Sequence, residues 1–397
     1  MSTKVQSRRP KSGRRKMPVA AIVILITITL LILVAVFGVY YLLNLYKPTP
    51  APVDPSKVPE GLLTGDITTD EHGNFNPDDV RRKDFYTFLV LGKDVSGYNT
   101  DVFMLISFDV GNHAISVMQI PRDTYVETDG SQYKINALYA HMRSKARSSS
   151  TAKLSETELL HAGMKGVAGV LQDNLNIFID YYVIMDLQGF RNIVDSIGGV
   201  YMYVPQDMVY SDPEQNLYIN LKQGYQTLNG EEAEQFVRYR KGYAMQDLTR
   251  IEAQKLFMSA LVNQVKAKLS VTTVANIAQQ AWEYVDTSLS AADLVYFAKE
   301  FFAVDNANIA MLTCPGEATY VGRASYYVVH RAELLYMINQ YYNVYKADIS
   351  DDAFDANRAF VNESYDDVLK IYSAAFEGIE DYSHTVDDIG ENGIPLY

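Results

Sequence analysis

Thr87-Phe-Leu-Val-Leu91 is an apolar run closed by Gly92, and it reads as a β-strand buried on both faces. Two further strand candidates follow at Val102–Phe108 and Ile115–Ile120, divided by the turn-forming Asp109, Gly111 and Asn112. Helical signals come next. Ser155 and Glu158 form a capping box ahead of Leu159, Leu160, Val167, Val170 and Leu171. Alternation then resumes, with a strand at Tyr181–Met185, a helix at Gln188–Ile197 stopped by Gly198 and Gly199, and a strand at Val200–Val204 ending at Pro205. Later helices are expected at Gly230–Phe236, Asp247–Lys266, Ser290–Phe302 and Arg331–Tyr342. Strands interleaved with helices imply an α/β domain in which helices cover a mixed sheet.

Outward from this core, the N-terminal side carries a second decisive stretch. Val19–Leu43 is an unbroken apolar run relieved by Thr27, Thr29 and Gly38, long enough to cross a bilayer core of about 30 Å with some tilt. Lys4, Arg8, Arg9, Lys11, Arg14, Arg15 and Lys16 precede it with no acidic residue, and basic flanks stay in the cytoplasm. The expected order is a basic cytoplasmic tail over 1–17 and one transmembrane helix over 18–45, which leaves everything beyond it outside the cell. A cleaved signal peptide is the competing reading, but Phe37, Tyr40 and Tyr41 stand where small residues would mark a cleavage site. Residues 46–83 form an extracellular linker opened by Pro48, Pro50, Pro52, Pro55 and Pro59, whose density favours an extended stalk outside the core. Asp78, Asp79, Arg81 and Arg82 read as solvated surface. The domain proper spans 84–345, and 346–397 is an acidic tail, expected to be solvated, within which a short helix around Ser364–Phe376 is also conceivable.

Composition narrows the function. The net charge is −13, of which the basic tail contributes +7, leaving −20 for the rest. Such a domain repels nucleic acid and gains nothing from anionic lipid heads. The lone Cys314 excludes an internal disulfide, so the exported part relies on its core. There is no G-x-S-x-G elbow, Walker loop, H-E-x-x-H or paired C-x-x-C, and the six histidines lack metal-ligand spacing.

Two constellations remain. In the first, Asn229 and Glu232 cap a short helix that runs into Val237-Arg-Tyr-Arg240, and an extended Val237–Arg240 would point Arg238 and Arg240 to the same side. Asp247, Arg250 and Gln254 then recur on one helical stripe, beside the apolar stripe of Ile251, Met258, Leu261, Val262 and Val265. Guanidinium groups converging in this way suit phosphate oxygens, while surface pairing with Glu231, Glu234 or Glu252 explains the same residues equally well. In the second, Asp94 follows the first strand, Asp101 opens the second, and Arg122 follows the third. Carboxylates at neighbouring strand ends suit a hard divalent cation, although a turn or capping role is the commoner fate of an aspartate.

The motifs L-G-K-D (Leu91–Asp94), T-D-V-F-M-L-I (Thr100–Ile106), I-P-R-D-T-Y-V (Ile120–Val126), K-I-N-A (Lys134–Ala137), I-V-D-S-I-G-G-V (Ile193–Val200), L-N-G-E-E-A (Leu228–Ala233), V-R-Y-R (Val237–Arg240) and D-L-T-R-I-x-x-Q (Asp247–Gln254) occur in this order. Together, from about Phe85 to Tyr342, they resemble the LytR-CpsA-Psr family of cell-wall phosphotransferases. The resemblance implies an α/β/α sandwich that transfers a glycopolymer such as teichoic acid or capsule from a polyprenyl-pyrophosphate carrier to peptidoglycan with Mg²⁺ or Mn²⁺. A pyrophosphatase side activity is conceivable. It places Asp94 and Asp101 at the metal and Arg122, Arg238, Arg240, Arg250 and Gln254 around the pyrophosphate, with Asp247 orienting arginines or assisting the acceptor hydroxyl. Asn99 and Ala253 stand where many members have arginine. After K-I-N-A, Arg143, Lys145, Arg147 and Ser148–Ser150 replace a glycine-rich stretch and are expected to form a surface loop. The apolar stripes of the helices after Ser155 and Asp247 are the expected walls of a lipid slot. A non-catalytic receptor for prenyl-linked glycans, or a wall-assembly regulator, is the rival reading, with the 30 tyrosines as a sugar-stacking surface.

Overall fold

Just after the helical turn α1 (Pro77–Val80) lies the central strand β1 (Phe85–Lys93), whose side chains sort by parity: Phe85, Leu89 and Leu91 enter one core, Tyr86 and Phe88 another. The computed structural model describes residues 46–54, 58, 77–94, 97, 99–239, 246–274, 277, 284–354 and 383–385. The chain divides into two compact units, Met1–Pro48 and Thr49–Tyr397, and everything below concerns the second. Among the described residues no helix is long and apolar enough to cross a membrane, and the run Val19–Leu43 lies outside them.

Beside β1 the chain lays down β2 (Thr100–Asp109) and β3 (Ala114–Gln119), then the small hairpin of β4 (Tyr125–Thr128) and β5 (Ser131–Lys134). Two helices follow, α2 (Leu138–Ser149) and α3 (Glu156–Leu175), the second opened by the expected Ser155–Glu158 box and closed by Asn176 in a left-handed cap. The stretch expected as a surface loop is thus helix α2. Its buried Leu138, Tyr139 and Met142 supply the apolar stripe, while Arg143 and Arg147 pair with Glu156, and Lys145 with Asp129.

Then come β6 (Tyr181–Met185), α4 (Leu187–Ser196) and β7 (Val200–Val204), with Gly199 at φ +80° where a Cβ would strike the Leu228 carbonyl oxygen at 2.7 Å. The remaining described elements are β8 (Met208–Asp212), β9 (Leu217–Leu221), β10 (Gly224–Leu228), α5 (Gly230–Arg238), α6 (Gln246–Lys268), β11 (Val285–Thr287), α7 (Ala291–Ala303), β12 (Ile309–Thr313), β13 (Gly316–Val321), β14 (Ala324–Val329), α8 (Arg331–Met337), which continues as a π-helix over Ile338–Tyr342, and β15 (Ser383–Thr385).

The main sheet runs β11-β6-β1-β2-β3-β12-β15, with β1/β6 and β3/β12 parallel and the other neighbours antiparallel. It is therefore a mixed sheet with helices on both faces. On one face Leu89, Leu91, Phe103, Leu105 and Met118 pack with Leu160, Met164, Val167 and Leu171 of α3. On the other, Phe297 of α7 meets Tyr86 and Phe88 edge-on, with ring centroids 5.0 and 4.9 Å apart.

Several flanking residues expected outside the core lie within it. Val53 and Val80 are buried in the main cluster. The Ala51 N–H donates to Asp180 Oδ1 at 2.9 Å, and the Thr49 carbonyl accepts from the Tyr181 hydroxyl at 2.8 Å. Arg81 is 5% exposed and pairs at 2.7 Å with the buried Asp180, whose Oδ2 also accepts from the Thr87 N–H. Arg82 pairs with Asp109. At the far end Ile349 and Phe354 join the same core, and β15 pairs antiparallel with β12, so the acidic segment is not wholly solvated. The conceivable helix at Ser364–Phe376 lies outside the described residues.

Candidate active site

Strand direction decides where polar residues can collect. β1, β3 and β6 run one way and β2 the other, so the carboxyl ends of the first three share an edge of the sheet with the amino end of β2. Crevices at the carboxyl ends of parallel strands are the usual ligand sites of α/β sheets. A bulge between Gly92 and Lys93 turns the end of β1 there, and Gly92 sits so close to β2 that a Cβ would lie 3.0 Å from Val102 Cβ.

A cavity of about 630 Å³ opens at this edge. Val90, Met104, Ile106 and Gln119 line it from the sheet. Phe190, Ile193 and Val194 of α4, Val237 of α5, and Phe257, Met258 and Leu261 of α6 line it from the helices, with Tyr210 and Leu217 from the β8–β9 hairpin. Of the apolar stripe after Asp247, Met258 and Leu261 line this cavity, whereas Ile251, Val262 and Val265 do not. The stripe after Ser155 is not a wall of it, because α3 packs into the core on the opposite face of the sheet. Lys93, Asp94, Asp101, Asp186, Asp212, Gln215, Arg238 and Gln254 supply the polar lining.

Four of the predicted site residues, Asp94, Asp101, Arg238 and Gln254, therefore share one cavity. Arg122 reaches it through Asp101, donating from Nη1 to Oδ1 at 3.0 Å. The Asp94 N–H donates to the Asn99 carbonyl at 2.8 Å, and the Asn99 N–H returns to Asp94 Oδ1 at 3.3 Å, closing the loop between β1 and β2. The K-I-N-A segment holds this corner by its backbone. Ile135 N–H donates to Thr124 O, Asn136 N–H to Arg122 O, and the Thr100 hydroxyl to Asn136 O at 3.2 Å. Asp94 and Asp101 together offer what a hard divalent cation takes from a protein, one or two carboxylates with water and phosphate completing the shell. Among the described residues no group of three or more His, Cys, Asp or Glu could hold a metal by itself.

Arg238 differs from expectation in its backbone. It is the last residue of α5, so Val237 and Arg238 are helical and the turn to extended conformation begins at Tyr239. The Asn229–Glu232 box propagates the helix that far. Its Nη1 donates to Glu234 Oε1 at 2.7 Å and its Nη2 to Gln215 Oε1 at 3.2 Å, while Arg191 Nη1 donates to Glu234 Oε2 at 2.6 Å. Gln254 donates to the Val237 carbonyl at 3.2 Å, tying α6 to the end of α5. Arg240 lies outside the described residues, and Asp247 and Arg250 belong to α6 by backbone with their side chains undescribed. Sequence reasoning missed Arg191 and Gln215; it named Glu234 as a surface partner of the arginines, and Arg238 does pair with Glu234, which is buried rather than at the surface. The i,i+4 spacing of Glu234 and Arg238 was a usable signal, whereas nothing local marks Arg191 or Gln215.

A model of the LytR_cpsA_psr family matches residues 63–343. The chain is 27% identical over 256 residues to the polyisoprenyl-teichoic acid–peptidoglycan teichoic acid transferase TagV of Bacillus subtilis, covering 62% of this chain and 60% of TagV. It is 28% identical over 232 residues to the cell wall biosynthesis protein LcpA of Corynebacterium glutamicum, covering 56% of this chain and 44% of LcpA. It thus spans less than two thirds of either relative. The crystal structure of B. subtilis TagV aligns with a TM-score of 0.51 at 26% identity, covering 64% of this chain and 94% of that one. With its motifs in order along a mixed sheet and most of its length matched by the family model, the chain belongs to the LytR_cpsA_psr family.

Proposed function

We propose that this protein is a membrane-anchored extracellular phosphotransferase that moves a glycopolymer, teichoic acid or capsule, from a polyprenyl-pyrophosphate carrier to peptidoglycan. The observation that carries this reading is the make-up of one cavity, in which apolar strand and helix side chains adjoin Arg238, Gln254 and two strand-end carboxylates. A prenyl pyrophosphate needs both kinds of surface. The name of TagV supports the reaction class, and Val19–Leu43 behind its basic flank supports an anchor that leaves the domain outside a Gram-positive cell. Helices on both faces of the sheet support the α/β/α sandwich.

In this mechanism Arg122, Arg238, Arg240 and Arg250 hold the pyrophosphate oxygens and Gln254 fixes their register. An acceptor hydroxyl attacks the sugar-bearing phosphorus, the bond to the bridging oxygen breaks, and polyprenyl phosphate leaves while Asp247 takes the hydroxyl proton. The arginines act by stabilising charge on the equatorial and leaving oxygens, the dominant protein contribution in phosphoryl transfer. Mg²⁺ or Mn²⁺ held by Asp94 and Asp101 would neutralise phosphate charge when bound. Water in place of the acceptor gives the pyrophosphatase side reaction.

The test is incubation of the full chain with a prenyl-pyrophosphate sugar, Mg²⁺ and a peptidoglycan fragment, followed by mass spectrometry. A phosphodiester-linked product and free prenyl phosphate are expected, with Arg122→Ala and Arg238→Ala each slower by about 10³-fold or more. Intact bound lipid without product would indicate a receptor, and normal turnover by both variants overturns the site assignment.

A further inference from the structure

Val200 to Leu228 forms one long antiparallel hairpin, bent at Pro205–Asp207 on one strand and Lys222–Gln223 on the other. Its near half pairs β7 with β10 and its far half pairs β8 with β9. The far half lines the cavity with Tyr210, Asp212, Gln215 and Leu217. Alternate side chains of both halves face away from the protein body: Tyr201, Tyr203, Tyr225 and Thr227 on the near half, Val209, Ser211, Tyr218 and Asn220 on the far half.

None of these outward positions is charged, in a chain with 48 acidic and 35 basic residues, and four are tyrosine. Tyr201, Tyr225 and Tyr218 are 53%, 52% and 58% exposed. The rings of Tyr201 and Tyr225 stack at 5.7 Å with planes 18° apart, and Tyr203 meets Tyr225 edge-on at 5.0 Å. Gln223 Nε2 donates to the Tyr203 hydroxyl at 3.2 Å, fixing that ring. Contiguous exposed apolar surface marks interaction sites.

We infer that this outward face is a platform for the pyranose rings of the acceptor glycan strand. The inference rests on the transferase reading and adds to it where the acceptor lies. Sugar rings present flat C–H faces that stack on tyrosine, and the intervening threonine, serine and asparagine side chains can pair with hydroxyl and acetamido groups. A teichoic acid's polyol-phosphate chain offers no ring face and calls for cations, which the outward positions lack; a ring-bearing donor glycan is the competing occupant, and binding to sacculi stripped of wall polymers decides against it. The N-acetylhexosamine backbone of peptidoglycan offers uncharged rings in series. Continuity with the cavity supplies the purpose, because the same hairpin that carries the rings outside lines the site of transfer inside.

The experiment uses the full chain in detergent with two probes, an N-acetylglucosamine hexamer followed by calorimetry and peptidoglycan sacculi stripped of wall polymers followed by sedimentation. Tyr201→Ala/Tyr225→Ala should weaken both by roughly tenfold or more, while binding of a prenyl-pyrophosphate sugar stays unchanged. Tyr201→Phe/Tyr225→Phe should bind glycan within about twofold of the parent, since stacking survives without the hydroxyls. Equal glycan binding by the alanine pair, no glycan binding by the parent, or a shift from dimer to monomer in ultracentrifugation as the sole effect overturns the inference. Tyrosine-dependent glycan binding in a protein that transfers nothing would sink the transferase reading and with it the acceptor role, leaving only a glycan-binding face. Transfer with tyrosine-independent glycan binding overturns the inference and leaves the transferase reading standing.

Discussion

Glu234 is a buried carboxylate with a guanidinium on each oxygen, Arg238 on one and Arg191 on the other. The arrangement turns Arg238 from a long, freely rotating side chain into one held at the cavity wall, and it spreads one negative charge over two positive ones. Glu234→Ala leaves both arginines without their acid. It should lower stability by about 2–3 kcal/mol, allowing for the partial exposure of Arg191, as read from the midpoint of urea unfolding. Arg81 and Asp180 make a second buried pair. Burial pushes the Asp180 carboxyl up, against the pull of Arg81 and of the Thr87 and Ala51 N–H groups. Arg81→Met removes the main opposing charge and should cost about 3–5 kcal/mol at neutral pH. A carboxyl raised in the folded state holds its proton more tightly there than when unfolded, so stability falls as pH rises through the folded value. The gap between variant and parent should therefore narrow on acidification towards about pH 4, and a gap that widens would contradict this account.

At the scale of elements, the close approach of β1 and β2 sets the spacing of Asp94 and Asp101. Gly92→Ala puts a methyl 3.0 Å from Val102 Cβ and must part the strands at the edge that forms the site. A loss of about 1–3 kcal/mol is expected, with the contact relieved and the strand spacing recovered in Gly92→Ala/Val102→Gly, measured by thermal unfolding and turnover against Val102→Gly alone. The legible elements were those with complete local signals. β1 to β3, β6 and β7 announced themselves by apolar runs bounded by turn residues, and α3 and α5 by capping boxes. β8 and β9 passed unnoticed, because buried and half-buried side chains alternate there with exposed Val209, Ser211, Tyr218 and Asn220 and the two acquire meaning only as a hairpin. α2 was obscured by its basic, serine-rich outer face. Of the site, the strand-end aspartates and Arg238 were visible from motifs. The arginine and glutamine that orient Arg238 come from a helix and a turn distant in sequence, so no spacing rule reaches them.

At the scale of the whole molecule, chain segments remote from the motifs complete the core. Thr49–Val53 lies against the second unit's core and the Asp180 region, and Ile349 and Phe354 fill the same cluster that holds Leu89 and Leu91. Stiff proline-rich and acidic stretches looked peripheral because composition reports average polarity, while a few well-placed apolar side chains decide docking. The seventh strand of the sheet comes from beyond residue 380 and covers β12. A chain ending at residue 354 should thus self-associate through the bared edge, seen as a concentration-dependent mass increase by light scattering.

That closing strand also imposes an order of events during synthesis. Ribosomes deliver β12 some seventy residues before its outer neighbour, so each nascent copy passes through an interval with an open ladder of backbone donors and acceptors. Chains made side by side on one messenger would meet in that interval, and the acidic stretch between the two strands, with its mutual charge repulsion, is well suited to keep them apart until each has sealed its own sheet.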